Sequence, residues 1–133
     1  MRKAATITLI ALALIGATGY ILTFGSGRPI STDLSVVGNG KPAFVLAYEN
    51  FSPDAGEALN RLRKIRSDYD DRMLFIVADL GTPQGRSFAS QFNLVDSQAV
   101  FLTGNGEPLQ ITSIAEDEQE LRSRLDAKLM AVQ

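Results

Sequence analysis

Residues 42–55 read Pro-Ala-Phe-Val-Leu-Ala-Tyr-Glu-Asn-Phe-Ser-Pro-Asp-Ala. The run 43–48 is apolar without a break, which suits an interior strand covered on both faces. The end of the stretch starts a helix. Ser52 is a good N-cap, Pro53 a good first helical residue, and Asp54 suits the positive end of a helix dipole. Beyond it Ala55, Ala58, Leu59, Leu62, Ile65 and Tyr69 recur at spacings of three and four, one buried stripe. Arg61, Arg63, Lys64 and Arg66 fall largely off that stripe.

Working outward, residues 73–78 form a second apolar strand that ends in Asp79. Thr82-Pro83 opens a second helix, with Phe88, Ala89 and Phe92 turned inward. Residues 99–103 make a third strand, and Gly104-Asn105-Gly106 is a hairpin signal into 109–114. Glu116, Asp117 and Glu118 place negative charge at the start of a last helix, whose apolar line is Leu121, Leu125 and Leu129. Upstream, residues 34–37 read as a short strand ended by the turn Gly38-Asn39-Gly40. The expected order is β-β-α-β-α-β-β-α, an α/β sandwich of mixed parallel and antiparallel strands.

That order resembles the thioredoxin fold over residues 32–130, and short motifs follow it. Lys41-Pro42 with the run 43–47 looks like the family's "K-P-V-L-V-x-F" central strand. Phe51-Ser52-Pro53-Asp54-Ala55 stands where the family has W-C-G-P-C. Val77-Ala78-Asp79 is similar to the "V-D" that closes the next strand, and residues 88–94 to "L-A-x-x-Y-x-V". Asn105-Gly106-Glu107 is similar to the "N-G-E" hairpin. The resemblance implies a thioredoxin-like mixed β-sheet flanked by helices. It also implies where chemistry should sit: two cysteines that carry electrons, beside a cis-proline that holds substrate backbone. Here Ser52 and Ala55 replace the cysteines, and Gln98 occupies the proline's approximate place. A serine hydroxyl, whose pKa is far above neutral, cannot stand in for a thiolate in disulfide exchange. The resemblance therefore implies the scaffold without the redox reaction. The former active-site edge becomes a docking surface made of Tyr48, Asn50, Phe51, Ser52, Pro53, Asp54, Ala55 and Gln98, with the neighbouring residues 95–99.

Composition narrows the remaining chemistry. The chain has 133 residues, room for one domain and an appendage, and it contains no cysteine, histidine or tryptophan. There is no thiol for a redox couple or metal thiolate, and no imidazole for general base or zinc ligand. Ser52 has Asp54 nearby but no histidine, and Lys41 lies at the other end of the strand, so a helix cap is the expected role. The acidic clusters 68–71 and 116–118 lack the alternating ligands, glycine and distal glutamate of a calcium loop. No cofactor, metal site or catalytic group is expected, and the chain reads as a non-enzyme. The stripe 61–66 reads as an ordinary solvated helix face, with electrostatic docking to an acidic partner or lipid headgroups as the alternative. From residue 32 onward ten basic residues face 15 acidic ones, a net charge of −5, which argues against nucleic acid.

The first segment addresses the chain to a membrane. After Met1-Arg2-Lys3, residues 4–24 carry no charge. As a helix they span about 31 Å, the thickness of a bilayer's hydrocarbon core. A cleaved secretory signal is the competing reading, but it usually has a shorter apolar region and a clear small-x-small site after it. The expectation is a signal-anchor at 1–24, a linker at 25–31 and a thioredoxin-like domain at 32–133. Arg2 and Lys3 keep the N-terminus cytoplasmic and send the domain outward. Gly16, Ala17 and Gly19 offer small surface for packing on another transmembrane helix. The functional expectation is a single-pass protein of a bacterial inner membrane with a periplasmic domain. It would contact the bilayer through 4–24 and other membrane protein subunits through its edge, as an accessory subunit or assembly factor. A holdase for exported polypeptides is the alternative.

Overall fold

A computed structural model describes residues 29–132. The anchor expected at 1–24, with Gly16, Ala17 and Gly19, and most of the linker lie outside these residues. Among the described residues no helix is long and apolar enough to cross a membrane.

Among the described residues four strands and three α-helices follow in the order β1 (Ala43–Tyr48), α1 (Pro53–Ile65), β2 (Leu74–Asp79), α2 (Pro83–Gln91), β3 (Gln98–Leu102), β4 (Pro108–Ser113) and α3 (Glu118–Ala131). The sheet order is β2-β1-β3-β4, with β1 parallel to β2 and antiparallel to β3, and β3 antiparallel to β4. The parallel pair needs a crossover, which α1 supplies, while the Gly104-Asn105-Gly106 turn suffices for the antiparallel pair. β1 is therefore interior, and five of its six residues are buried, as its unbroken apolar run requires.

The sheet separates two cores. On one face Phe44, Leu46, Phe75 and Phe101 meet Ala58, Leu62 and Ile65 of α1 and Leu121, Leu125 and Leu129 of α3. Phe44 sits edge-on to Phe75, with ring centroids 6.2 Å apart. On the other face Val45, Ala47, Ile76, Ala78 and Val100 meet Ala89 of α2, with Phe88 and Phe92 partly buried beside them. The caps form where the side chains allow. The Ser52 and Thr82 hydroxyls accept from the Ala55 and Gly85 N–H groups, and Asp117 accepts from the Gln119 N–H.

Two expectations are corrected. Residues 34–37 are not a strand; Leu34–Val36 is a turn of 3₁₀ helix. Asp33 takes both the Ser35 N–H and the Ser35 hydroxyl on its carboxylate, and this local capture outcompetes a ladder. The chain also joins the fold inside the expected linker. Ile30 is buried in the first core and Ser31 bridges to Ile76. An apolar residue just before the domain fills a gap that a polar linker would leave open.

Candidate functional site

The carboxyl ends of β1 and β2 emerge together, Tyr48 beside Asp79. From there residues 49–52 climb into α1, and residues 92–97 descend into β3 alongside them. Two hydrogen bonds tie these loops: the Glu49 N–H donates to the Asp96 carboxylate at 2.9 Å, and the Ser97 N–H to the Ala47 carbonyl at 2.9 Å. Ser97 holds a left-handed backbone at φ 66°, a conformation a serine adopts only under local constraint. Strain of this kind gathers at functional edges, and here it aims the chain into β3.

The residues singled out at this edge play unequal parts. Ser52 is half-buried and its hydroxyl accepts the Ala55 N–H at 3.2 Å, so the oxygen is occupied as a cap. Ala55 is wholly buried on the inner stripe of α1 and reaches no partner. Gln98 also turns inward: its side-chain oxygen accepts the Val95 N–H at 3.2 Å and closes the 95–98 loop. No peptide bond among the described residues is cis, so Gln98 holds this loop by its amide and not by proline geometry. Asn50, Pro53 and Asp54 are exposed. Phe51 is 96% exposed, and Val95 in the facing loop is 60% exposed. Two apolar side chains thus stand in solvent on loops that hydrogen bonds hold in place.

Flanking this crest are two open hollows. One, of about 220 Å³, lies along the first turns of α1 and is lined by Asp54, Glu57, Arg61, Ser97 and Glu116, among others. The other, of about 240 Å³, takes in Tyr48, Asn50, Leu59, Arg63 and Asp79. Carboxylates dominate the first, and Arg61 is already paired with Glu57 at 3.3 Å. Among the described residues no Asp, Glu, Lys or Arg is buried, and no three carboxylates converge as metal ligands. Asp96 and Ser97 lie within the expected edge 95–99, but their part in tying the two loops together was not read from the sequence. An Asp-Ser pair just before a strand was the available signal.

A larger hollow, of about 500 Å³, lies between the turn after α1 and helix α3, lined by Asp68, Tyr69, Arg72, Arg122 and Asp126 among others. Its polar groups are spent on one another. Arg122 pairs with Asp68 at 2.7 Å and with Glu118 at 3.0 Å, and the Tyr69 hydroxyl donates to the Arg122 carbonyl at 3.4 Å. The Arg72 guanidinium lies 4.9 Å from the Tyr69 ring centre. This cluster joins α3 to the rest of the fold.

No family model matches the chain, and no curated protein matches it. Solved structures do. An uncharacterized thioredoxin-like protein from Clostridium perfringens superposes with a TM-score of 0.64 at 14% identity, covering 76% of this chain and 81% of that one. A thioredoxin from Thermus thermophilus gives 0.62 at 12% identity, covering 76% and 88%. Trxlp from Edwardsiella tarda EIB202 gives 0.56 at 16% identity, covering 66% and 84%. Identity this low speaks for backbone shape alone: the described domain has the thioredoxin-like fold, in a chain that contains no cysteine.

Proposed function

We propose that this chain is a membrane-anchored, extracytoplasmic interaction subunit, a thioredoxin-like domain without redox activity that serves a larger membrane complex as accessory subunit or assembly factor. The observation that carries the proposal is Phe51. Burying a phenylalanine side chain is worth roughly 1.5–3 kcal/mol, and here that stabilisation is left for a partner to supply. The loops around Phe51 are held by the Glu49–Asp96 and Ser97–Ala47 hydrogen bonds, so little ordering entropy is lost on docking. Asp54, Glu57, Asp96 and Glu116 surround the crest, which favours a partner surface with an apolar socket and a basic rim. The apolar, charge-free segment 4–24 supports the membrane setting and would raise the effective concentration of the domain near a membrane partner.

The test is purification of the tagged full-length chain in mild detergent, with mass spectrometry of what accompanies it. A partner in fixed stoichiometry with the native chain, lost on Phe51→Ser, is the expected result. Recovery of the native chain without any companion overturns the proposal. A broad, substoichiometric mixture of exported polypeptides would do so as well, in favour of a holdase.

A further inference from the structure

The end of α1 gathers positive charge, Arg61, Arg63, Lys64 and Arg66, within a domain of net charge −5. Arg61 is paired with Glu57, but among the described residues Arg63, Lys64 and Arg66 meet no carboxylate within salt-bridge distance. Arg63 and Lys64 are exposed and Arg66 is half-buried, and Arg63 and Arg66, three apart, are neighbours on the helix surface. Last-turn cations suit a helix dipole anywhere in a protein. What sets these apart is their place beside the point where the chain enters the fold. Ser31 bridges to Ile76 in parallel, so the chain, followed back through Ile30, leaves toward the amino end of β2. α1 finishes at that end too, because it crosses from the carboxyl end of β1 to the amino end of β2. Arg63 and Ile30 line the same hollow. In the turn that follows α1, Asp68 and Asp71, two of the three carboxylates at 68–71, are paired with Arg122 and Arg72.

We infer that Arg63, Lys64 and Arg66 dock the domain on anionic lipid headgroups of the bilayer that holds the proposed anchor, a reading that depends on the membrane setting proposed above. Five residues, 25–29, separate the uncharged segment from Ile30, and fully extended they allow at most about 21 Å between the two. So short a tether holds the entry corner nearest to headgroup charge and gives it a high effective concentration there. An acidic protein would match the same three cations, but nothing ties one to this corner as the tether ties the bilayer. An anionic surface repels the other faces of a domain of net charge −5, so the cations orient it as well as hold it. Each Lys or Arg at an anionic surface multiplies the docked population about fivefold, so three give about a hundredfold. Phe51 lies beyond the opposite end of α1, a helix of 13 residues and so about 20 Å long. Docking at one end of α1 therefore leaves the crest at the other end open to a partner.

The cysteine-free chain permits a clean test on the full-length protein reconstituted into vesicles. Ser67→Cys, exposed at the basic corner, takes a donor dye, and energy transfer is read to acceptor-labelled headgroups; Asn50→Cys at the crest is the distant control. Transfer from position 67 should be greater in vesicles one third phosphatidylglycerol than in phosphatidylcholine alone, and high salt should remove the difference. Position 50 should show no such rise. Arg63→Gln, Lys64→Gln and Arg66→Gln together should lower the ratio of docked to undocked domain about a hundredfold, without moving the melting temperature. Equal transfer in the two lipids, or a triple variant that keeps the full response, overturns the inference. So does a triple variant that keeps its lipid response but loses a co-purifying protein, which would assign the corner to an acidic partner. A chain that alkaline carbonate strips from the vesicles overturns the membrane setting and this inference with it. A chain that stays inserted with equal transfer overturns this inference alone.

Discussion

Gly56 and Gly85 both lie in the first turns of proline-started helices, and a sequence gives no reason to treat them differently. Their surroundings are opposite. A Cβ at Gly56 would meet nothing within 4 Å, but one at Gly85 would fall 1.9 Å from the Asp79 carbonyl oxygen, because α2 lies directly against the end of β2. Gly56→Ala should therefore stabilise the domain by about 0.5–1 kcal/mol, the usual gain of alanine over glycine in a helix. Gly85→Ala should cost about 3 kcal/mol or more, the upper end of overpacking, since backbone must give way and not a flexible side chain. Denaturant melts of the two variants check both signs, and equal effects would contradict the packing described. The candidate site was legible to a similar, uneven degree. Ser-Pro-Asp at 52–54 announced a cap and a helix start. That Gln98 would turn back onto the Val95 N–H depends on a contact no local pattern encodes.

Among the elements, the apolar runs of β1 and β2 and the stripes of α1 and α3 were readable because burial on both faces, or on one helical face, leaves a period in the sequence. The 3₁₀ turn at Leu34–Val36 was not, because the four residues Leu-Ser-Val-Val are too few to carry a period and Asp33 decides the local geometry. The joint between helices is also invisible in one dimension. Tyr69, after α1, reaches 53 positions along the chain to the Arg122 carbonyl of α3. Burial of its ring raises the phenol's pKa above its usual 10.0, with the hydrogen bond and charge of Asp126 adding to the effect. A raised folded value means that the neutral phenol's contribution is complete below the unfolded pKa and is lost as pH climbs through the folded one. Tyr69→Phe should cost about 0.5–1.5 kcal/mol at neutral pH, one hydrogen bond. It should also flatten part of the stability loss above pH 10. Melting temperatures of both proteins from pH 8 to 11.5 give the comparison, and parallel curves would rule out this role for the hydroxyl.

For the molecule as a whole, the sheet order and helix placement follow the expected family plan although the matched structures share only 12–16% of their residues with it. A layered core constrains where apolar residues recur far more than which ones they are, so the fold is legible without close relatives. A docking partner leaves no such imprint; at this edge the exposure of Phe51 and Val95 hints at one, and exposure is known once the loops are placed. Under the proposed function the full chain should sediment with membranes, resist alkaline carbonate extraction, and lose its domain to protease added to spheroplasts. Full recovery in the soluble fraction, or protection of the domain until the inner membrane is lysed, would refute that topology.

The two Gly-Asn-Gly turns lean on each other: the Gly40 N–H donates to the Gly104 carbonyl at 2.9 Å, and a Cβ on Gly104 would fall 2.5 Å from the Gly40 oxygen. This clasp links positions 64 apart in the chain and continues the antiparallel pairing of β1 with β3, so it adds a contact of high sequence separation to the fold. Any side chain at position 104 would therefore push the two turns apart, and Gly104→Ala should speed hydrogen exchange at the Gly40 amide.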